Sequence, residues 1–417
     1  MKKIVLITEQ FPYTVDAETF LEAEVVYWGK ENNINFIIMP MRLDTRLREV
    51  PKSITVDLSF AQYLEKELPK VDKTLYKILF TIRSVTSTLF FPDIFEKKTV
   101  NIQNIKELLF SLRKYYIFQR FFEHYSNKDE SIVYYTYWHN EVTYALQTLK
   151  EKYPNNKVIT RTHRFDLYED TTLTNYMPLR RVFKKNIDMV FTITESANDY
   201  IAKQYGYHTD KLKTSRLGVE DYNINTLPSD IEHFYIVSCS GLRKVKQVDK
   251  IVDVIEALAK KQPQLQYKWI HIGGGELFSE IKHYADTKFN VLNNIEYDLL
   301  GSLSNQEVFE FYKNNQIDLF LNLSESEGVP VSIMEAMSCH IPIVAPNVGG
   351  ISDMVVSDFN GVLLSKSPKI EEIVQALKNT LYFKDDKVRE NSYIHYKEFY
   401  DANINYNRFI QEVIDEK

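Results

Sequence analysis

Two series of short β-branched runs, each run followed by a segment of helical period, constrain this chain most, because such alternation specifies parallel sheets covered by helices. The first series places strands at Ile4–Thr8, Ile34–Met39, Ile132–Tyr135, Val158–Arg161, Met189–Ile193 and Lys213–Gly218. The second places them at Phe234–Cys239, Lys268–Ile272, Ile295–Leu299, Leu319–Leu321, Ile343–Ala345 and Val362–Leu364. Between the series, Glu220–His233 is polar, contains a proline and sustains no period, as a linker does. The expected fold class is α/β, with two Rossmann-like domains in tandem, and 417 residues exceed what one hydrophobic core usually serves. The expected domains are 1–225 and 226–395, followed by a helical tail, 396–417, suited to packing back on the first domain. Residues 61–126 depart from the beat and read as two or three amphipathic helices, an elaboration of the first domain.

Composition narrows the class. Apolar residues make up 44% and charged residues 26%, ordinary for a folded globular protein, and a net charge of −6 with no aromatic RNA-binding signature argues against nucleic acid as partner. The two cysteines, Cys239 and Cys339, lie far apart in apolar surroundings, with no spacing for a disulfide framework or a zinc site, which fits a reducing compartment. The opening MKKIVLITEQF has too short an apolar run for a signal peptide and reads as a strand. The apolar stretch Ile78–Phe95 is interrupted by Arg83, Pro92 and Asp93, so no transmembrane helix is expected. Residues 61–125 carry 11 basic against 7 acidic side chains among many Phe and Tyr, a combination that favours an anionic membrane surface. The expected location is the cytoplasm, peripheral at the inner face of the membrane when that surface is engaged.

The segment with most chemistry is Leu319–Gly350. A buried strand ends near Asn322, a small polar loop carries Glu327 and Gly328, and a helix is expected from Pro330, a residue suited to a first helical turn. The backbone N–H groups across Gly328, Val329, Pro330, Val331 and Ser332 would then point beyond the carboxyl edge of the sheet, where open α/β folds bind ligands and a helix N-terminus favours an anion such as diphosphate. Glu335, just over a turn further on, suits a hydroxyl-rich partner, since a carboxylate accepts two hydrogen bonds from adjacent hydroxyls. A plain alternative is an acid pair that only complements the helix dipole. A second signal lies in GLRKVKQ, where Arg243, Lys244 and Lys246 precede a helix N-terminus that disfavours cations; an anion between them removes the conflict.

Glu327-Gly-Val-Pro-Val-Ser-Ile-Met-Glu335, with the following AMSCHIPIVAPNVGG and Asn360-Gly361, resembles the E-x(7)-E motif of the retaining GT-B glycosyltransferases of family four. The likeness covers the C-terminal half. It implies two Rossmann-like domains facing a central cleft, with Glu327 on donor-sugar hydroxyls and Glu335 on the nucleotide ribose. It implies that Lys246 holds the donor diphosphate; Gly241 stands where the family has an arginine, so either Arg243 substitutes or that contact is lost. The turn Gly273–Gly275 resembles the family's glycine turn near the base, with Gly274 in its middle, and Gly301 and Ser302 are placed in the same base pocket. Steric need for glycine in a tight turn explains these residues equally well.

In the first domain, RTHRFDLYED resembles the family's Arg-x-His-Gly-x-Asp-x-Tyr segment, which makes His163 the cleft histidine, with Arg161 beside it and Arg164 in the usual glycine position. His139 is read as structural. The stretch FPYTVDAETFLEAE resembles relatives from capsule and exopolysaccharide biosynthesis, and places Thr14 and Glu18 toward acceptor or phosphate, with Glu22 and Glu24 on a solvated or interdomain face. No Asp-x-Asp and no compact His/Asp cluster occurs, so neither metal nor cofactor is expected.

The expected function is metal-independent, retaining transfer of a sugar from a UDP- or GDP-type donor to a hydroxyl of a glycan or lipid-linked glycan, in surface-polysaccharide assembly. Glu327, His163 and Lys246 form the expected reacting set. Two rivals stay open: a nucleotide-sugar epimerase of the same fold, and a non-catalytic partner subunit that kept it.

Overall fold

The computed structural model describes residues 1–13, 18, 20–45, 47–71, 81–96, 101–128 and 130–415. Two compact units divide it: Met1–Arg216 together with Tyr406–Lys417, and Leu217–Asn405. The boundary thus precedes the polar segment Glu220–His233, which belongs to the second unit, and the end of the last helix, Ala402–Asp415, groups with the first.

The first unit holds a sheet of strands β1 (Lys2–Thr8), β2 (Ile34–Pro40), β3 (Thr55–Val56), β4 (Ile132–Thr136), β5 (Lys157–Thr162), β6 (Met189–Thr192) and β7 (Leu212–Thr214). Their order is β3-β2-β1-β4-β5-β6-β7 with every neighbour parallel. Ile4, Val5, Leu6 and Ile7 are all buried, as expected of a strand covered on both faces. The elaboration contains helices Ser59–Val71, Phe90–Glu96 and Ile102–Tyr125. The last starts where Asn101 accepts the Asn104 amide at 2.7 Å, an N-cap. It then turns Leu108, Leu112, Tyr115, Phe118 and Phe122 inward at helical spacing.

Arg161 corrects the expectation of an acceptor-side cation. It is completely enclosed, bonded to Glu24 at 2.9 Å and to Ser215 Oγ at 2.7 Å, with its guanidinium 4.4 Å from the Phe409 ring. Glu24, expected on a solvated or interdomain face, is equally enclosed and also accepts from Trp28 Nε1 at 3.1 Å. The two charges compensate each other, so both serve the interior of this unit.

The second unit holds β8 (His233–Cys239), β9 (Gln266–Ile272), β10 (Ile295–Leu299), β11 (Leu319–Leu321), β12 (Ile343–Pro346) and β13 (Gly361–Leu364), ordered β10-β9-β8-β11-β12-β13 and again parallel. Helix Val248–Lys261 covers it with Val248, Ile251, Val252, Ile255 and Leu258. The chain winds outward from β8 through β9 to β10, then returns to place β11 on the other side of β8. That reversal is a topological switch point, and sheets of this kind ordinarily bind ligands at the carboxyl ends of the strands beside it, here β8 and β11.

Candidate active site

Backbone hydrogen bonds stitch the loops that leave β8, β9, β10 and β11 together. Leu242 N donates to Gly274 O at 2.8 Å, Gly273 N to Gly301 O at 2.7 Å, and Glu325 N to Val245 O at 2.9 Å. Gly273 has φ 140°, and a Cβ there would lie 1.9 Å from Ser240 O, so this close approach requires glycine. A Cβ on Gly274 would lie 2.7 Å from Ser302 Oγ, which places these two expected donor residues side by side.

Across the reversal point Lys246 Nζ meets Glu327 Oε1 at 2.6 Å, joining two groups that the sequence separates widely. Asn322 Nδ2 donates to the same oxygen at 3.3 Å, while its Oδ1 accepts Ser324 N at 2.9 Å, so Asn322 both shapes the loop and steers its acid. From behind, Gly349 has φ 56°, and a Cβ there would fall 1.9 Å from Glu327 O, while Gly350 N donates to Gly328 O at 2.7 Å. Glu327 is therefore buried, paired and held by backbone on the side away from Lys246.

The helix runs Val331–Ser338, with Pro330 at its N-cap, φ −71° and ψ 118°, rather than in its first turn. Having no N–H, Pro330 also drops out of the expected row of amide donors. First-turn amides of a helix lack intrahelical acceptors, so those of Val331 and Ser332 remain suited to an anion. Glu335 is buried, and Asn305 Nδ2 donates to its Oε1 at 2.5 Å. Burial pushes its carboxyl up to about 7, against the lowering effect of Asn305.

Arg243 and Lys244 are exposed in the loop after β8. A Cβ on Gly241 would lie 4.0 Å from Arg243 Nε, so Arg243 already borders the space that a longer residue at 241 would enter.

In the first unit, the turns after β4 and β5 are knotted by Asp166, which accepts from His139 N at 2.7 Å and His163 N at 2.6 Å. Burial raises this carboxyl to about 6. His163 is packed against the rings of Tyr137, Trp138 and Phe20 at 4.7, 4.8 and 5.3 Å, and both its ring nitrogens are buried without a hydrogen-bond partner among the described residues. Burial, then the Arg161 charge, holds its pKa well below the ordinary histidine value, which keeps the ring neutral. Arg164 avoids the left-handed region, so its place in the family's glycine position imposes no backbone strain. His139 is buried, with Nε2 3.2 Å from Tyr207 OH, a structural role.

Glu18 departs from the expected acceptor or phosphate side. Its carboxylate accepts the amides of Glu9, Gln10 and Phe11 at 3.0, 2.8 and 2.7 Å, and Trp138 Nε1 at 2.6 Å. Those bonds fold the turn after β1 onto the end of β4, and a buried anion so engaged is not aimed at a phosphate. Thr14 lies outside the described residues. Sequence reasoning passed over Asn322, Asn305 and Gly349; a short polar residue at a strand end and a glycine opposite the acidic loop were the available signals. Among the described residues no group of three or more His, Cys, Asp or Glu side chains is close enough to hold a metal ion.

Two Rossmann-like units with parallel sheets, the second gathering an acid pair and a lysine at its reversal point, constitute the GT-B architecture of glycosyltransferases. Residues 221–394 match the family model described as glycosyl transferases group 1. The O-antigen biosynthesis glycosyltransferase WbnH of Escherichia coli is 26% identical over 168 residues, 38% of this chain and 44% of that protein. The chain spans less than half the length of the curated relatives it matches first. Among solved structures, the lipopolysaccharide outer core galactosyltransferase WaaB superposes with a TM-score of 0.68 at 14% identity, covering 100% of both chains. HepE of Anabaena in complex with UDP gives 0.64 at 16% identity, again over 100% of both.

Proposed function

We propose that the protein is a retaining, metal-independent glycosyltransferase that moves a sugar from a UDP-type donor, with GDP-type as the second choice, to a glycan hydroxyl in surface-polysaccharide assembly. The observation that carries this reading is the junction of the loops leaving β8 and β11, where Lys246 meets Glu327 while Glu335 lies one helical turn beyond. Matches to relatives named for O-antigen and colanic acid biosynthesis support the pathway class, and the likeness to a UDP complex supports the base.

In this reading the bond from the anomeric carbon to the diphosphate oxygen breaks while the acceptor oxygen bonds to that carbon on the same face. The acceptor proton passes to the departing phosphate oxygen. Lys246, Arg243 and the Val331 and Ser332 amides stabilise the negative charge that grows there. Glu327 orients the donor sugar, and Glu335 accepts the ribose hydroxyls. In the first unit, the exposed Phe91, Phe95, Ile102 and Phe110 suit contact with an anionic lipid surface carrying a lipid-linked acceptor. Lys114 Nζ lies 4.8 Å from the Phe110 ring, a cation beside an apolar anchor. Flotation with anionic vesicles is expected to carry the protein upward more than with neutral ones; equal recovery would remove the membrane part of the reading.

Incubation with a panel of nucleotide sugars and a lipid-linked glycan, followed by NMR of the products, tests the whole. The expected result is a new glycoside with the donor's anomeric configuration, formed at the same rate with EDTA present. Interconversion of donors without acceptor would identify the epimerase instead. Absence of both transfer and donor hydrolysis would identify the partner subunit.

A further inference from the structure

A cavity of about 580 Å³ opens in the second unit between the segment Tyr222–Asn225 and one face of helix Asn305–Asn314. None of the residues lining it belongs to the donor set described above, and its size falls within the usual range for small-molecule sites, about 300–1,000 Å³.

Its walls are fixed before any ligand arrives. Asp221 accepts Asn223 N at 2.8 Å and is itself held by Tyr393 OH at 2.7 Å and Lys397 Nζ at 3.0 Å. Thr226 Oγ1 donates to Tyr312 O at 2.9 Å, fastening the far end of the segment to the helix. Between these fixed points Tyr222 leans on buried Phe309, ring centroids 4.4 Å apart, yet stays 50% exposed.

The lining chemistry selects one class of occupant. Asn223, Asn225 and Gln306 present carboxamides, each with a donor pair and an acceptor that match vicinal hydroxyls. Glu310 and Lys313 cancel in charge, which disfavours a phosphate or any other ligand of net charge. The half-open Tyr222 ring offers an electron-rich face to the C–H groups of a pyranose. We propose that this cavity is a carbohydrate subsite that holds a neutral oligosaccharide, the body of the glycan acceptor or product, apart from the nucleotide. Gln306 directly follows Asn305, the partner of Glu335, so the subsite adjoins the ribose carboxylate without sharing its residues. The charges of Glu220 and Glu335 add to burial in raising the Tyr222 phenol, in keeping with that nearness.

The choice of ligand rests on the glycosyltransferase reading, but the test does not use transfer. Labelled full-length protein is applied to a microarray of neutral and anionic oligosaccharides with and without saturating UDP, and retained glycans are titrated in solution. The expected result is retention of at least one neutral oligosaccharide, undisturbed by UDP and weakened tenfold or more by Tyr222→Ala and by Gln306→Ala, with Tyr222→Phe restoring it. Gln306 is exposed on its helix, so Gln306→Ala carries the test should Tyr222→Ala not fold. The proposal is overturned if only anionic glycans or none are retained, if both alanine variants bind as the parent does, or if UDP displaces the glycan. Intact glycan binding beside a failure of the separate transfer assay would instead count against the function proposed above.

Discussion

Lys246→Ala is expected to lower kcat/KM for sugar transfer by about 10²–10³-fold, the range seen when one preorganised stabiliser of developing negative charge is removed. The expectation follows from position: Lys246 is the cation that the structure fixes against Glu327, and a leaving diphosphate has no metal to lean on in the proposed mechanism. The same substitution leaves Glu327 buried without its partner, which costs stability independently of chemistry. Those two consequences separate in the double variant Lys246→Ala/Glu327→Gln. Its melting temperature should recover toward the parent value, because no unpaired charge remains, while transfer stays low. Steady-state kinetics and differential scanning fluorimetry read the two quantities. A Lys246→Ala enzyme within twofold of the parent would remove the lysine from the mechanism and leave the ion pair as a device for holding the β11 loop.

The parts of this arrangement that could be read from sequence are those set by local rules. The central strands of both sheets announce themselves as apolar, β-branched runs because parallel strands there are buried on both faces, and Ile4–Thr8 or Ile343–Ala345 need no distant partner to be recognised. The eight-residue step from Glu327 to Glu335 is likewise local, since it spans one loop and one helical turn. What failed to show was each contact closed over long separations. Arg161 looked like a site residue because it opens the segment that resembles the family's histidine motif; its burial depends on Glu24 and Phe409, far away in the chain. Glu18 looked free because sequence does not reveal that three amides of the preceding turn converge on it. The two-residue strand β3 was too short to leave a pattern, and Asn305 became part of the candidate site only through its hydrogen bond to Glu335, thirty residues on.

Glu335→Gln should make the protein more stable at alkaline pH while impairing its ligand binding, a pairing that a purely structural acid would not give. Burial raises the Glu335 carboxyl from 4.5 to about 7 in the folded state. The folded protein therefore holds this proton more tightly than the unfolded chain, and stability falls as pH rises from about 4.5 through about 7. Above that window the buried carboxylate costs at most about 3.5 kcal/mol, since each pKa unit is worth about 1.4 kcal/mol. Glutamine keeps an oxygen to accept from Asn305 and carries no charge, so at pH 8.5 the variant should melt several degrees higher, about 5 °C for a cost of this size, and near pH 4.5 the two should coincide. Binding moves the other way. Ribose hydroxyls donate to the carboxylate, so the affinity of the parent for UDP should rise with pH through about 7 as Glu335 ionises. Calorimetry on Glu335→Gln should find UDP binding weakened about 10–100-fold at pH 8 and insensitive to pH, the loss expected for hydrogen bonds to a charged group. A variant that melts lower at pH 8.5, or binds UDP as the parent does, would mean that the burial of this acid is not a penalty retained for the nucleotide, and that Glu335 belongs to the packing of its helix alone.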